Sequence, residues 1–291
     1  MSHSSLNQIA LQEKTRREIL HKSDLIPPLP DLVARLLGLL NKQDTEPAHL
    51  ESLLQNDQVL VAKMLAMVNS PFYGLNRTIR TVKEAVMVLG FRGVRSLVLA
   101  TSTAKFLQRD YSCYGHQPKG LWLHAVSVAA GARKMARACK FTADECELLF
   151  VAGLLHDIGK LLLVTYLADT GAAAGTEECE FERSRIGLDH TEAGALVTAK
   201  WNLAPEIQEV IKLHHEGRNE QHARSIAIVR LCDALAHERG TGYQPGRAPM
   251  PSFLAADLAA LGLVDAAWTT LRDEISAAMD EAVAALGSLS A

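Results

Sequence analysis

The stretch VAGLLHDIGKLLLV, residues 151–164, decides the reading of this chain. It has the apolar density of a buried helix, yet His156 and Asp157 stand side by side in its middle. Burying an imidazole beside a carboxylate costs several kcal/mol unless both are hydrogen-bonded or hold a metal ion. The flanks therefore argue for helix, and the interruption marks a candidate site.

Outward from this stretch the pattern stays helical. Toward the C-terminus, apolar residues recur at helical spacing over 121–139, 143–168, 191–202, 205–216 and 223–238. Pro205 suits a first helical turn and Gly217 a helix end. GTGYQPGRAPMPS, 240–252, reads as a Gly/Pro-rich loop, and two Ala-rich helices close the chain. Their apolar faces (Leu254, Leu258, Leu261, Leu263, Trp268, Leu271, Ile275) read as core, with a homodimer contact as the alternative.

Toward the N-terminus, residues 5–22 read as a charged amphipathic helix, and IPPLP at 26–30 breaks it. Apolar positions at helical spacing follow at Leu32, Val33, Leu36, Leu37 and Leu40, and another helix runs over 49–54. Asn56-Asp57 caps the next, whose inner face is Leu60, Met64, Met67 and Val68. NSPFYG, 69–74, is a turn; TVKEAVMVLG and FRGVRSLVLATSTAKFL are two further helices, with Thr81 and Glu84 spaced as a capping box. The polar break RDYSCYGHQPKG, 109–120, separates a lobe over 23–112, preceded by the helix within 1–22, from a second over 113–291. Strand-type alternation is absent, so the expected fold is all-α, a two-lobed helical bundle.

The bulk numbers agree with a folded chain: 291 residues, 48% hydrophobic and 22% charged. A net charge of −3 gives no bulk attraction to nucleic acid or to an anionic membrane. The basic residues Arg77, Arg80, Lys83, Arg92 and Arg95 read as a solvated face. No run of about 18 consecutive apolar residues suggests a membrane span, and the N-terminus has no signal-type apolar core. Five cysteines with no C-x-x-C fit a reduced, cytoplasmic setting, most of them as small core hydrophobes.

Of eleven histidines, His3, His21, His49, His116, His222 and His237 lie in polar stretches and are expected at the surface. The other five, His124, His156, His190, His214 and His215, join Asp157 and Asp233 at apolar positions on successive helices. Any one alone reads as a satisfied core histidine or a cap; together they read as a ligand set. Imidazole with carboxylate suits iron, manganese or zinc. A shared carboxylate can bridge two metals about 3.5–4 Å apart, as in phosphoester hydrolysis. Helix neighbours point roughly 100° apart, so His215 is the ligand least favoured by geometry.

His124, His156-Asp157 and Asp233 resemble the H…HD…D pattern of the HD superfamily of metal-dependent phosphohydrolases. IPPLPDLVARLL, KMLAMVNSPFYGL, TVKEAVMVLGFRGVRSLVLA and GLDHTEAGALVTAKWNLAPEIQEVIKLHHE narrow the resemblance to the HDOD family, HD-related output domains of bacterial signalling, over residues 20–285. The resemblance implies an all-α regulatory module with its HD core in the C-terminal half. By likeness to HD-GYP phosphodiesterases, His124, His156, Asp157 and Asp233 would hold one divalent metal. His190, His214 and His215 would hold a second, Asp157 bridging, and Lys160 would contact a substrate phosphate. On its own residues, Lys160 also reads as a solvated lysine at a helix turn. HHEGRNEQHA lacks the HD-GYP glycine-rich run, and GYQP at 242–245 falls out of register as a loop coincidence.

Two functions follow from these expectations. One is a signalling output domain with an iron-type mono- or dinuclear site, working through partner proteins. The other is a phosphohydrolase acting on a phosphorylated small molecule or cyclic dinucleotide, with Asp157 and Lys160 as its working residues.

Overall fold

The computed structural model describes residues 12–19, 21, 26–40, 46–54, 57–168, 177–216, 221–244 and 254–287. Helix α1 covers 12–19. An N-terminal lobe follows, built from α2 (Asp31–Leu40), α3 (Pro47–Leu54), α4 (Gln58–Val68) and α5 (Val82–Leu107). The C-terminal lobe holds α6 (Gly120–Ala138), α7 (Ala143–Leu155), α8 (Lys160–Leu167), α9 (Glu178–Ile186) and α10 (His190–Lys200). It continues through α11 (Pro205–Leu213), α12 (Ala223–Glu238), α13 (Leu254–Leu261) and α14 (Asp265–Leu286). No strand occurs among the described residues; His116 and Tyr243 form an isolated β-bridge.

Local chemistry sets the helix ends. The Asp57 carboxylate accepts from Leu60 N at 2.8 Å and starts α4. Thr81 Oγ1 accepts from Glu84 N at 3.1 Å and starts α5, while Glu84 reaches back to Arg80 N instead of to Thr81. Helix α5 breaks at Gly90, whose φ of 69° few other residues adopt, so the two expected helices exist as two arms of one element.

Packing follows from the apolar faces. Helix α5 is the axis of the N-terminal lobe, packed by α2, α3 and α4. Helix α6 is the axis of the C-terminal lobe, packed by α7, α12 and α14, and α5 meets α7 across the seam. Helices α6 and α7 cross tightly because residue 153 is glycine: a Cβ there would lie 3.0 Å from Ala129 Cα. Leu258, Leu261, Leu271 and Ile275 are buried, as the core reading of the C-terminal helices expects; Leu263 and Trp268 are half-buried, and Leu254, at the start of α13, is exposed and departs from it.

Three expectations need correction. The helix expected over 143–168 is two helices, α7 and α8, because residues 156–159 form a turn. The helix expected to 216 ends at Leu213, with His214 and His215 in the following turn. Helix α9 was not expected at all, because its sequence ECEFERSRI shows no apolar stripe. By length and hydropathy Val82–Leu107 and Ala143–Leu167 could each cross a membrane. The first is broken at Gly90, and the second is 83% buried in its most apolar window and carries the polar turn. The outer parts of the helix expected over 5–22, Gly217, and residues 245–252 of the Gly/Pro-rich loop lie outside the described residues.

Candidate metal centre

The HD pair sits where the chain tightens between two helices. His156 caps α7 with helical dihedrals (φ −53°, ψ −37°). Asp157-Ile158-Gly159 leads into α8 through i to i−3 bonds, Ile158 N to Leu155 O at 2.9 Å and Lys160 N to Asp157 O at 3.0 Å, with both side chains turned to one point. Gly159 makes the point reachable: a Cβ there would lie 1.9 Å from His190 O and 2.5 Å from Gly194 N. Only glycine lets the start of α10 sit on this turn, which brings His190 to Asp157.

On one side, His124 from α6 meets His156 (Nε2 to Nε2 3.2 Å) and Asp233 from α12 (Nε2 to Oδ1 3.0 Å). His156 Nε2 lies 3.4 Å from Asp157 Oδ2 and 3.6 Å from Asp233 Oδ1. On the other side, His190 Nε2 lies 3.3 Å from the second oxygen, Asp157 Oδ1. His214 joins from the turn after α11, its ring 5.1 Å from that of His156 and 5.4 Å from that of His190. Asp157 thus offers one oxygen to each side. His215 is half-buried and stands edge-on to His190 at 5.0 Å, within reach of a group with His190 and Cys179. All seven residues expected as ligands are brought together.

The ring orientations fit metal binding. His156 Nδ1 bonds Gly153 O at 2.8 Å and His214 Nδ1 bonds Ile211 O at 2.7 Å. His190 Nδ1 meets Glu182 Oε2 at 2.8 Å. Each of these rings is held by one nitrogen and turns the other inward, the arrangement outer partners give to ligating histidines. His190 Nε2 and His214 Nε2 are buried without a hydrogen-bond partner, a costly state that a cation would relieve. Donor types, spacing and orphaned nitrogens all fit one or two divalent ions.

Burial lowers the pKa of His156, but Asp157 and Asp233 outweigh it and hold the value up at about 10. Burial likewise opposes charge on His190, and Glu182 overcomes it. Burial, with neighbouring histidines, pushes His214 well down and His215 to about 4. Burial would raise Asp157, yet Lys160 and His156 keep it well below the usual carboxylate range. Asp233 is held down against burial by its bonds to His124 and His156. Without metal, then, protons on His156 and His190 balance the carboxylates.

Lys160 is not a solvated lysine. It is fully buried, bonded to Asp157 Oδ2 at 2.7 Å and to Glu178 Oε2 at 2.8 Å, with its ammonium 5.2 Å from the Tyr114 ring centre. Glu178 and Glu182 come from the unforeseen α9; their i, i+4 spacing was the available signal. His116 was expected at the surface but is 2% exposed, stacked on Tyr243 at 4.1 Å, with Nδ1 3.2 Å from Gly242 O. His237 is half-buried, edge-on to His124 at 5.5 Å. Tyr243 lies 5.2 Å from His124, so Gly242-Tyr243, though out of register with the HD-GYP run, packs on the α6 side of the centre.

These features define an all-α module of the HD type. The model of the HDOD domain matches residues 26–217, and the chain belongs to the HDOD family. A solved HDOD domain protein of unknown function from Geobacter sulfurreducens is similar: 26% identity, TM-score 0.68, covering 94% of this chain and 99% of that one. A Marinobacter aquaeolei VT8 structure, provisionally assigned to signal transduction, shares the fold at 21% identity and TM-score 0.73 over 96% of this chain and 65% of that one. A Shewanella amazonensis SB2B structure, provisionally assigned as a phosphohydrolase, shares it at 24% identity and TM-score 0.69, over 91% and 96%. An uncharacterized protein of Treponema pallidum (strain Nichols) is 25% identical over 219 residues, 71% of this chain. The chain spans 41% of the length of that curated relative.

Proposed function

We propose that this HDOD protein is a bacterial, cytoplasmic signalling output module that holds one or two divalent metal ions, iron first, and works by contacting partner proteins. His124, His156, Asp157 and Asp233 would hold one ion. His190, His214 and His215 would hold the other, with Asp157 between. The observation that carries this reading is closure: the six ligands other than His215 are between 0% and 2% exposed. Lys160, the cation a phosphate would need, is already committed to two carboxylates. A centre so enclosed suits a structural or sensing metal better than turnover of a bulky phosphoester. The five cysteines, all buried and free, accord with a reducing compartment.

The second reading is a metal-dependent phosphohydrolase acting on a nucleotide or cyclic dinucleotide. The split of Asp157, one oxygen toward each histidine group, favours it. A bound metal there would supply Lewis-acid activation of water. Asp157 would hold the two sides in register, and Lys160 would have to leave Glu178 to meet a phosphate.

Elemental analysis after expression with iron and manganese supplied tests both. At least one equivalent is expected, and less than one sinks both readings. Hydrolysis of bis(p-nitrophenyl) phosphate then separates them. Turnover that disappears in His156→Ala and Asp157→Ala establishes the phosphohydrolase; metal without turnover favours the output module.

A further inference from the structure

A second site lies away from the metal centre. At the seam of the two lobes is a cavity of about 610 Å³, within the size range of small-molecule pockets. Its N-terminal wall is Phe72 and Tyr73 of the NSPFYG turn, Leu75, and Val88 and Leu89 just before the break in α5. Ala130, Ala277 and Ala278 on the opposite wall are small and leave the space open.

The polar groups are sorted along this cavity. Arg133 is 4% exposed; its guanidinium lies 3.9 Å from the Phe150 ring centre and 5.2 Å from that of Tyr73. One terminal nitrogen bonds Glu147 at 2.7 Å. Its Nε is buried with no hydrogen-bond partner, and the buried Tyr73 hydroxyl faces the same guanidinium, whose charge opposes the rise that burial gives the phenol's pKa. An unsatisfied buried donor costs about 1–3 kcal/mol, more when charged, which a bound acceptor would recover. Lys134 is neutralised by Glu274 at 2.8 Å. Arg137, one turn further along α6, is exposed on the lining with no ion pair among the described residues. The far end carries Glu281, seven residues past Glu274 and so about 10 Å along α14.

We propose that this cavity binds a small amphipathic anion, an apolar or aromatic body with a single carboxylate or phosphate headgroup. The headgroup lies at Arg133 Nε, Tyr73 Oη and Arg137. The body lies against Phe72, Leu75, Val88 and Leu89. Glu281 repels a second anionic group, which selects against ligands charged at both ends. This site uses none of the metal-centre residues, so its failure would leave that reading untouched.

The probe is 8-anilinonaphthalene-1-sulfonate, with neutral N-phenyl-1-naphthylamine as its uncharged counterpart, titrated by fluorescence into the full chain. Saturable one-to-one binding of the sulfonate is expected. Arg137→Gln, a surface change that should fold, is expected to weaken the sulfonate about tenfold and leave the amine unchanged. Ala278→Trp fills the cavity and should remove both dyes. Circular dichroism and melting curves establish that each variant is folded. Displacement by 1-naphthoate identifies a carboxylate headgroup, and displacement by 1-naphthyl phosphate a phosphate one. The proposal is overturned if wild type shows no saturable binding, if Ala278→Trp binds as wild type does, if Arg137→Gln weakens both dyes equally, or if neither competitor displaces the sulfonate.

Discussion

The two lobes bury different things. Among the described residues of 26–112, the polar side chains buried whole are those of Ser96, Thr101, Ser102 and Thr103, beside the buried Tyr73 hydroxyl at the cavity. Those of Thr101, Ser102 and Thr103 bond the carbonyl four residues back at 2.8, 2.6 and 2.7 Å, so each is satisfied within its own helix. Every buried charged or imidazole side chain among the described residues lies beyond residue 113. The N-terminal lobe is held by apolar burial and carries no buried charge among the described residues. The C-terminal lobe carries a cluster whose cost only protons or metal ions can offset. One lobe is scaffold, and the other is conditional on what it binds.

The strongest way to break this comparison is at Asp157. Asp157→Asn removes the group facing both sides and is expected to weaken metal binding more than about a hundredfold, beyond the effect of an outer partner. Metal content of the folded variant, measured by elemental analysis, checks this; full retention would end the two-sided description. On the scaffold side, Leu50→Ala and Leu97→Ala each empty a fully buried position. Each should cost about 2–5 kcal/mol in urea unfolding while metal stoichiometry stays constant. A loss of metal in either would show that the lobes are not separable in this sense. More finely, Glu182→Gln keeps an acceptor for His190 but removes its charge. Metal affinity should drop about tenfold, the low end for an outer partner, and the metal-free protein should melt lower, because His190 loses the charge that offsets its burial.

The smallest effect is in pH. His156 and His190 have raised pKa values in the metal-free protein. Their contribution to stability is complete below about 6.5, the unfolded value, and for His156 is lost as pH rises toward about 10. Asp157 and Asp233 are depressed, so theirs is present above about 3.9 and lost only in acid. The metal-free melting point should therefore fall by a few degrees between pH 7 and 9. Metal binding needs deprotonated ligands and should tighten over the same interval. A metal-free melting point that rises across this range would contradict the balance of protons and carboxylates.

Much of this was legible in the sequence because apolar periodicity and interruption are local signals. Helix α12 begins and ends where its pattern does, and His124 and Asp233 stood out because apolar faces rarely carry such groups. What stayed hidden was set by distant contacts. Helix α9 hides because its buried face mixes Cys179, Phe181 and Ile186 with Glu178 and Glu182, carboxylates that are buried because Lys160 and His190 meet them. His116 hides because its neighbours in sequence are polar, while its neighbour in space, Tyr243, is more than a hundred residues away. The reading of Lys160 as a solvated lysine failed for the same reason: its second carboxylate lies on α9.

The tight crossing of α6 and α7 has a mechanical consequence. Helix α6 carries His124 toward one end and Arg133 toward the other; α7 carries Glu147 near its start and ends at His156. The contact of Gly153 with Ala129 falls between, with His124 five residues before it and Arg133 four after. A helix is stiff over such a span, about 7 Å on either side. A tilt pivoting at Ala129 would carry the cavity end and the metal end of the pair in opposite directions.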